Sequence, residues 1–173
     1  MKIAITGHSA GIGQALTKVY TSKGHEVIGI SKRNGFNIRV IPKVADMIEP
    51  CDVFVNNAQV GFAQTELLFE MAKRWQNTGK LIINISTMMT QQPVPTIPGL
   101  GMVEYRTQKI ALEEAVKQLR HQGLGIKLTI VRPGKINTQG DGGADPDDWA
   151  EYLIDTLERA QARNLNIPEL SLR

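Results

Sequence analysis

The sequence contains a single cysteine, Cys51, among 173 residues. One cysteine cannot form an internal disulfide, and Cys51 precedes an apolar stretch without metal-ligand partners in a spaced cluster. We interpret it as a small buried apolar residue in a protein of a reducing compartment. No apolar run approaches the roughly 20 residues of a membrane span, and the start, Met1-Lys2-Ile3, enters a strand pattern rather than a signal peptide. These absences predict a cytoplasmic protein with no membrane partner.

The sequence also lacks a strong charge of one sign and a metal-binding pattern. The net charge is +3, and the lysines and arginines are dispersed rather than gathered into a stripe, so we expect no nucleic acid partner. His8, His25 and His121 have no neighbours at ligand spacing, so we expect no metal. With 42% hydrophobic residues and no internal repeat, residues 1–173 are predicted to form one domain.

Apolar runs that alternate with helical patterns indicate the fold class. Strands are predicted at residues 2–6, 26–30, 52–56, 80–85 and 126–131, with 36–38 as a candidate sixth strand. Helical patterns cover residues 12–20, 42–48, 66–75 and 149–162 and the segment around Tyr105 and Lys109. This order predicts an α/β fold: a Rossmann-like, doubly wound parallel sheet of about six strands with helices on both faces. Right-handed crossovers then bring every carboxyl end to one edge, where a ligand would bind.

A glycine turn, Thr6-Gly7-His8-Ser9-Ala10-Gly11-Ile12-Gly13, joins the first strand to the first helix. Gly7 permits a sharp exit from the strand, Gly11 lets the backbone approach a pyrophosphate, and Gly13 lets the helix pack closely. The helix N-terminus would hold the phosphates of a dinucleotide. The spacing is not the commoner G-x-G-x-x-G fingerprint, and a tight strand-to-helix connection is the alternative. The predicted cofactor contacts here are Gly7, Ser9, Gly11, Ile12 and Gly13.

The residues after the second strand bear on the choice of cofactor. Ser31-Lys32-Arg33 follow this strand, without an acidic side chain to take the ribose hydroxyls of NAD. Ser31 can donate a hydrogen bond to a 2′-phosphate, and Lys32 or Arg33 can pair with it. This favours NADP, with NAD as the alternative cofactor. A solvated basic turn is the structural alternative.

Ser86, Tyr105 and Lys109 are the candidate catalytic residues. Hydride transfer to a carbonyl requires a general acid for the oxygen, and a tyrosine hydroxyl suits this role. Tyr105 and Lys109 share a helix face at i and i+4, so the ammonium can lower the pKa of the phenol from its ordinary value of about 10. The Ser86 hydroxyl can donate a second hydrogen bond to the substrate oxygen. A tyrosine and a lysine at this spacing also occur by chance, so the order of all the motifs carries the interpretation.

Taken together, these residues resemble the short-chain dehydrogenase/reductase family. Thr6–Gly13 matches its T-G-x-x-x-G-I-G turn, Asn56-Asn57-Ala58 resembles its N-N-A-G segment with Gln59 for the glycine, and Ser86, Tyr105 and Lys109 match its catalytic set. Pro133-Gly134-Lys135-Ile136-Asn137-Thr138 resembles its P-G-x-V-x-T stretch. The resemblance implies that Tyr105 is the acid/base and that Lys109 lowers its pKa and holds the nicotinamide ribose. It also implies that Ser86 orients the carbonyl and that the cofactor lies along Asn57, Ala58, Pro133, Gly134, Ile136 and Thr138.

The chain departs from this family in three places. It is shorter than most members, and one crossover helix between Ile30 and Cys51 is expected to be missing or reduced to a turn. The helix around residues 66–75 supplies no asparagine for the family's fourth catalytic position. Residues 166–172 replace the family's last strand only thinly. The resemblance nevertheless runs along nearly the whole chain.

On the substrate side, residues 87–104 are expected to form a wall or flap, with Met88, Met89 and Met102 lining an adaptable apolar pocket or acting as ordinary fillers. Residues 139–146 have the composition of a closing lid, and their aspartates either meet the substrate or cap the next helix. The expected partner is a small carbonyl or alcohol substrate. By analogy with related enzymes, the helices bearing Tyr105 and Trp75 would associate in a homodimer or homotetramer.

Three functions fit these observations. The first is an NADP-dependent oxidoreductase that transfers hydride between nicotinamide and a carbonyl or alcohol. The second is a dinucleotide-binding regulator or redox sensor that has lost turnover. The third is an epimerase or dehydratase acting on a nucleotide sugar, which usually needs a larger C-terminal region. We favour the first.

Overall fold

The computed structural model describes residues 1–92, 101–140 and 142–172. Its strands are β1 (Lys2–Thr6), β2 (Glu26–Ile30), β3 (Val53–Asn56), β4 (Leu81–Ile85), β5 (Lys127–Pro133) and β6 (Glu169–Leu172). Its α-helices are α1 (Gly11–Ser22), α2 (Ile41–Ile48), α3 (Ala63–Arg74), α4 (Met102–His121) and α5 (Pro146–Ala162). Short 3-10 helices, Lys32–Asn34 and Met88–Gln91, follow β2 and β4.

The strands form one six-stranded sheet in the order β2-β1-β3-β4-β5-β6, and every pairing is parallel. The predicted Rossmann-like fold class is therefore confirmed. The chain runs from β1 to β2 on one side and then crosses to β3 on the other side of β1. The strand order thus reverses between β1 and β3, and in such sheets ligands bind beyond the carboxyl ends at this point.

Apolar residues on alternate positions of the strands build two cores. Ala4 and Phe54 point to the layer of α2, α3 and α4, whereas Ile3, Ile5 and Val55 point to α1 and α5. The central strands β3 and β4 are buried along their whole length, as expected for a parallel sheet that is covered on both faces.

The candidate strand at residues 36–38 is wrong. The Phe36 amide donates to the Ser31 carbonyl at 2.9 Å and the Val40 amide to the Asn37 carbonyl at 2.9 Å, so the backbone closes turns on itself instead of pairing with a strand. The sixth strand is β6, which pairs with β5 at the opposite edge. Its alternating exposed and half-buried residues are those of an edge strand, and four such residues give only a weak pattern.

The five predicted helices are confirmed, with ends that shift by a few residues. Between Ile30 and Cys51 the chain has one α-helix and one 3-10 helix, which confirms the reduced crossover. Asp145 caps α5, because its carboxylate accepts from the amides of Asp147 at 2.8 Å and Asp148 at 3.1 Å. Residues 93–100 of the predicted flap and Asp141 of the predicted lid lie outside the described residues. Within the described ranges, no helix is both long and apolar enough to cross a bilayer.

Candidate active site

Hydrogen bonds from Thr6 join the carboxyl ends of β1 and β3. Thr6 Oγ1 accepts from the backbone amides of Asn57 at 3.0 Å and Ala58 at 3.1 Å, and Asn57 Nδ2 donates to the Thr6 carbonyl at 2.9 Å. Gly7 then leaves β1 with a φ of 72°, which favours glycine. A side chain at Gly7 would approach Asn57 Nδ2 to 2.9 Å. The glycine turn and the Asn57-Ala58 loop therefore hold each other in place.

The N-terminus of α1 lies directly after this turn. A Cβ atom at Gly13 would collide with the Gly7 carbonyl oxygen, so the helix packs on the turn as closely as the sequence predicts. Within the described residues, the N-cap Ala10 provides no side-chain hydrogen bond and the first turn holds no acidic residue. The first-turn amides together with the helix dipole favour an anion at this end. The phosphates of a dinucleotide fit here.

One hollow, of about 240 Å³, lies beside the turn at the end of β2. Arg33, in the 3-10 helix after β2, donates to the carbonyl of the lining residue Ser9 at 3.3 Å. Residues 36–38, which were predicted as a strand, form one wall of this hollow. Their apolar side chains are therefore packed in a turn instead of in the sheet. The lining residues are Gly7, Ser9, Ala10, Ile30, Ser31, Lys32, Phe36, Asn37, Ile38, Ala58 and Val60.

A second hollow, also of about 240 Å³, lies on the other side of the turn, at the ends of β4 and β5. It brings together the predicted catalytic residues and the predicted cofactor contacts Asn57, Pro133, Gly134, Ile136 and Thr138. Its lining comes from five separate parts of the chain. Its lining residues are Ile12, Asn57, Gln59, Ile85, Ser86, Thr87, Tyr105, Lys109, Pro133, Gly134, Ile136 and Thr138.

Two neighbouring hydroxyl groups at the end of β4 have different partners. Thr87 Oγ1 accepts from the Met89 amide at 3.3 Å and lies close enough to the phenol of Tyr105 to lower its pKa. Ser86 is only 2% exposed, and its Oγ instead donates to Glu113 Oε1 at 2.5 Å. The alcohol beside the phenol is therefore Thr87, one residue after the predicted Ser86, because successive residues leaving a strand point to opposite sides.

The buried carboxylate of Glu113 accepts hydrogen bonds from several polar side chains next to the hollow. Besides Ser86, its carboxylate accepts from Thr90 Oγ1 at 2.8 Å and from Arg132 Nε and Nη2 at 2.9 and 2.7 Å. Arg132 also pairs with Glu169 of β6 at 2.8 Å. Glu113 and Arg132 are both buried, and a buried charge pair needs this number of hydrogen bonds to offset its desolvation. The network connects Ser86 and Thr90 to α4, β5 and β6.

Lys109 is 3% exposed, and its ammonium lies 5.7 Å from the centre of the Tyr105 ring. Its Nζ donates to the Ile85 carbonyl at 2.7 Å and to Gln64 Oε1 at 2.8 Å. Burial lowers the pKa of Lys109 to about 7, although the nearby Glu113 carboxylate acts in the opposite direction. The amine therefore changes charge near neutral pH.

The pKa of Tyr105 moves in the direction opposite to the expected one. Burial raises it above its usual value, and the neighbouring Thr87 hydroxyl offsets this only in part. Lys109 Nζ donates to Gln64 and to the Ile85 carbonyl rather than to the phenol. Burial is therefore the largest influence on the pKa of Tyr105. A phenol with a raised pKa carries its proton at neutral pH and can donate it.

The predicted site residues all lie along this edge of the sheet. Gly11 lies close to Thr138, and a Cβ added at Gly11 would lie 3.3 Å from Thr138 Cγ2. Three residues of the site were not predicted from the sequence: Thr87, Gln64 and Glu113. Glu113 continues the i+4 series of Tyr105 and Lys109, a signal that was available. The hydrogen bond between Gln64 and Lys109 joins residues 45 positions apart, so no local sequence pattern predicts it.

Solved structures share this arrangement of strands and helices. A short-chain dehydrogenase/reductase family oxidoreductase from Burkholderia thailandensis has a TM-score of 0.76 and 18% identity, with 98% of this chain and 89% of that chain covered. An alcohol dehydrogenase from Thermococcus sibiricus, complexed with 5-hydroxy-NADP, has a TM-score of 0.75 and 18% identity, with 100% and 96% covered. The chain has the short-chain dehydrogenase/reductase fold. The predicted resemblance to that family is confirmed in its architecture.

Two further similarities extend this finding. The NADH complex of a 3-alpha-hydroxysteroid dehydrogenase from Pseudomonas sp. B-0831 has a TM-score of 0.71 and 20% identity, with 99% of this chain and 94% of that chain covered. An uncharacterized oxidoreductase of Schizosaccharomyces pombe is 25% identical over 78% of this chain. The match spans 66% of that relative's length, just under two thirds. No protein-family model matches the chain.

Proposed function

We propose that this protein is a nicotinamide-dependent oxidoreductase that transfers hydride between the cofactor and a carbonyl or alcohol, with Tyr105 as the acid/base. The observation that carries the proposal is the hollow that joins Tyr105, Thr87 and Lys109 to the glycine turn. The open N-terminus of α1 and the close packing at Gly13 fit the phosphates. The hollows on either side of the turn fit the two ends of a dinucleotide.

The residues of the hollow divide the acid/base work. Nicotinamide supplies or accepts the hydride when it is bound. Tyr105 donates its proton to the carbonyl oxygen in reduction, and its raised pKa keeps that proton in place at neutral pH. Thr87 orients the substrate oxygen beside the phenol and stabilises the charge that develops on it. Lys109 provides a nearby positive charge that favours the phenolate once the proton has left.

We propose NADP as the preferred cofactor. Ser31 and Lys32 line the hollow at the end of β2, and Arg33 lies over the turn at Ser9. Two cations and a hydroxyl at this point suit a 2′-phosphate better than a free ribose hydroxyl.

We propose that two or four copies associate through α3 and α4. These helices pack side by side. Phe69 of α3 and Val103 and Ile110 of α4 are exposed, and so is Phe62, which precedes α3. An apolar group of this kind favours association. Light scattering on the native protein and on a Phe69→Glu/Ile110→Glu variant would test it, since a monomeric native protein would contradict it.

We also propose a cytoplasmic location. Cys51 is buried and carries a free thiol, which suits a reducing compartment. Cell fractionation would test this, and recovery of the protein outside the cytoplasm would contradict it.

The test of the function is a panel of carbonyl compounds followed by NADPH absorbance. Native protein is expected to oxidise NADPH with at least one of them, while Tyr105→Phe binds NADPH and shows no turnover. Tyr152→Phe is the matched control, because Tyr152 is 63% exposed on α5. Tight NADPH binding without turnover of any carbonyl would favour the regulator, and conversion of a nucleotide sugar without net NADPH oxidation would favour the epimerase.

A further inference from the structure

The side chain of Gln64, in the first turn of α3, makes three hydrogen bonds although it is only 2% exposed. Its Nε2 donates to the carbonyl of Asn56 at 2.6 Å and to that of Ile85 at 3.0 Å. Its Oε1 accepts from Lys109 Nζ at 2.8 Å. A buried amide with every contact satisfied is rigid and costly to disturb.

These contacts determine which way the amide faces. The two backbone carbonyls can only accept, so the nitrogen of the amide must face them. Gln64 Oε1 then faces Lys109 Nζ and accepts a hydrogen bond from it. An acceptor in direct contact with the amine stabilises its charged form.

Gln64 is itself anchored on two strands. Asn56 Nδ2 donates to the Gln64 backbone carbonyl at 2.9 Å and to Asn84 Oδ1 at 3.0 Å. This closes a ring of amides that connects α3 to β3 and β4. The position of Gln64 Oε1 relative to the end of β4 is thereby set by the sheet rather than by a mobile loop.

Lys109 has three N–H donors, and two are taken by Gln64 and the Ile85 carbonyl. The ammonium is thus held at a fixed place near the Tyr105 ring, with one donor left for the hollow that Lys109 lines. Without Gln64, the long lysine side chain would keep only one of these two acceptors.

We propose that Gln64 is a positioning residue: its side-chain oxygen holds the Lys109 ammonium in contact with the site and stabilises its charge. Its effect on catalysis rests on the proposed function, but its effect on the amine does not. The sequence predicts no polar catalytic contribution from α3, because this helix lacks the asparagine of the resembled family. Gln64 nevertheless supplies a polar group from α3.

The titration of Lys109 in the cofactor-free protein tests this proposal. Protein with 13C-labelled lysine is followed by NMR from pH 5 to 11, and Lys109→Arg identifies the signal. In native protein the Lys109 signal should titrate at about 7. Loss of a hydrogen bond to a charged group should lower this value by about one unit in Gln64→Met. Gln108→Met is the matched control, because buried Gln108 bonds to Gln59 and Glu104 instead.

A Lys109 signal that titrates at the native pH or higher in Gln64→Met would overturn the proposal. Gln64→Asn, which keeps the amide but shortens the reach, replaces Gln64→Met if that variant does not fold, and it is judged by the same criterion. In the NADPH assay, Gln64→Met should lower kcat about tenfold with a smaller change in KM. An inactive native protein whose Lys109 titration still depends on Gln64 would refute the proposed function and leave the positioning role intact.

Discussion

The hydroxyl of Thr87 lies beside the phenol of Tyr105 at the carboxyl edge of the sheet. Their proximity places an alcohol and a phenol in one hollow, where both can reach a single substrate oxygen. The neighbouring Ser86 hydroxyl is engaged by the buried Glu113 carboxylate. The Glu113 carboxylate therefore decides which of the two adjacent hydroxyl groups is available beside the phenol, because it engages Ser86 and leaves Thr87 in the hollow.

This relationship predicts opposite outcomes for two conservative variants. Thr87→Val should lower kcat/KM by about 10²–10³-fold, the usual cost of removing one donor to a developing oxyanion. Ser86→Ala should retain most of the activity but lower the free energy of unfolding by about 1–3 kcal/mol, because a hydrogen bond to a buried charge is lost. Steady-state kinetics and urea denaturation measure both effects. Loss of activity in Ser86→Ala alone would restore Ser86 to the role predicted from the sequence.

The lowered pKa of Lys109 predicts a pH-dependent stability. The pKa is about 7 in the folded protein and 10.5 in the unfolded chain, so between these values the unfolded chain binds more protons. The free energy of unfolding should therefore rise as the pH increases from about 7 towards 10.5, and it should be lowest on the acid side, where the buried amine must be charged. Urea denaturation should show this rise to be smaller in Lys109→Met. Parallel curves for the two proteins would contradict the lowered pKa.

Arg33 provides a test of cofactor choice. Arg33→Ala should weaken NADP binding by about tenfold or more, because a charge-assisted contact with the 2′-phosphate is lost. NAD binding should change little. Isothermal titration with both nucleotides measures the two affinities, and Arg39→Ala is a control at another exposed arginine of the same crossover. An unchanged affinity for NADP would remove Arg33 from the site.

Gly13 provides a test of the phosphate-binding turn. Gly13→Ala should abolish or greatly weaken nucleotide binding, because the added Cβ collides with the Gly7 carbonyl and displaces α1 from the turn. Gly24→Ala is the control: Gly24 has a φ of 80° but open space around it, so this variant costs about 1–2 kcal/mol of stability without affecting the turn. Nucleotide affinity and thermal unfolding separate the two effects. Equal nucleotide binding by both variants would contradict the assigned role of Gly13.

Local pattern was sufficient for most of the fold. The apolar runs of β1, β2, β3, β4 and β5 and the helical spacing between them are long enough to be recognised one by one, and parallel connection follows from their alternation. The segment 36–38 was mistaken for a strand because its apolar residues are placed for burial in a turn. β6 was missed as a strand because four residues at an edge carry little signal.

The order of the elements, the glycine turn and the shared helix face of Tyr105 and Lys109 follow from residues a few positions apart, so they can be predicted from local sequence. The fold is needed to see that Thr87 is the hydroxyl beside the phenol and that Gln64 and the Ile85 carbonyl hold the lysine. It is also needed to see that burial, rather than the lysine, sets the direction of the Tyr105 pKa. These outcomes depend on contacts between residues up to 45 positions apart and on exclusion from water. Neither quantity can be read from local spacing.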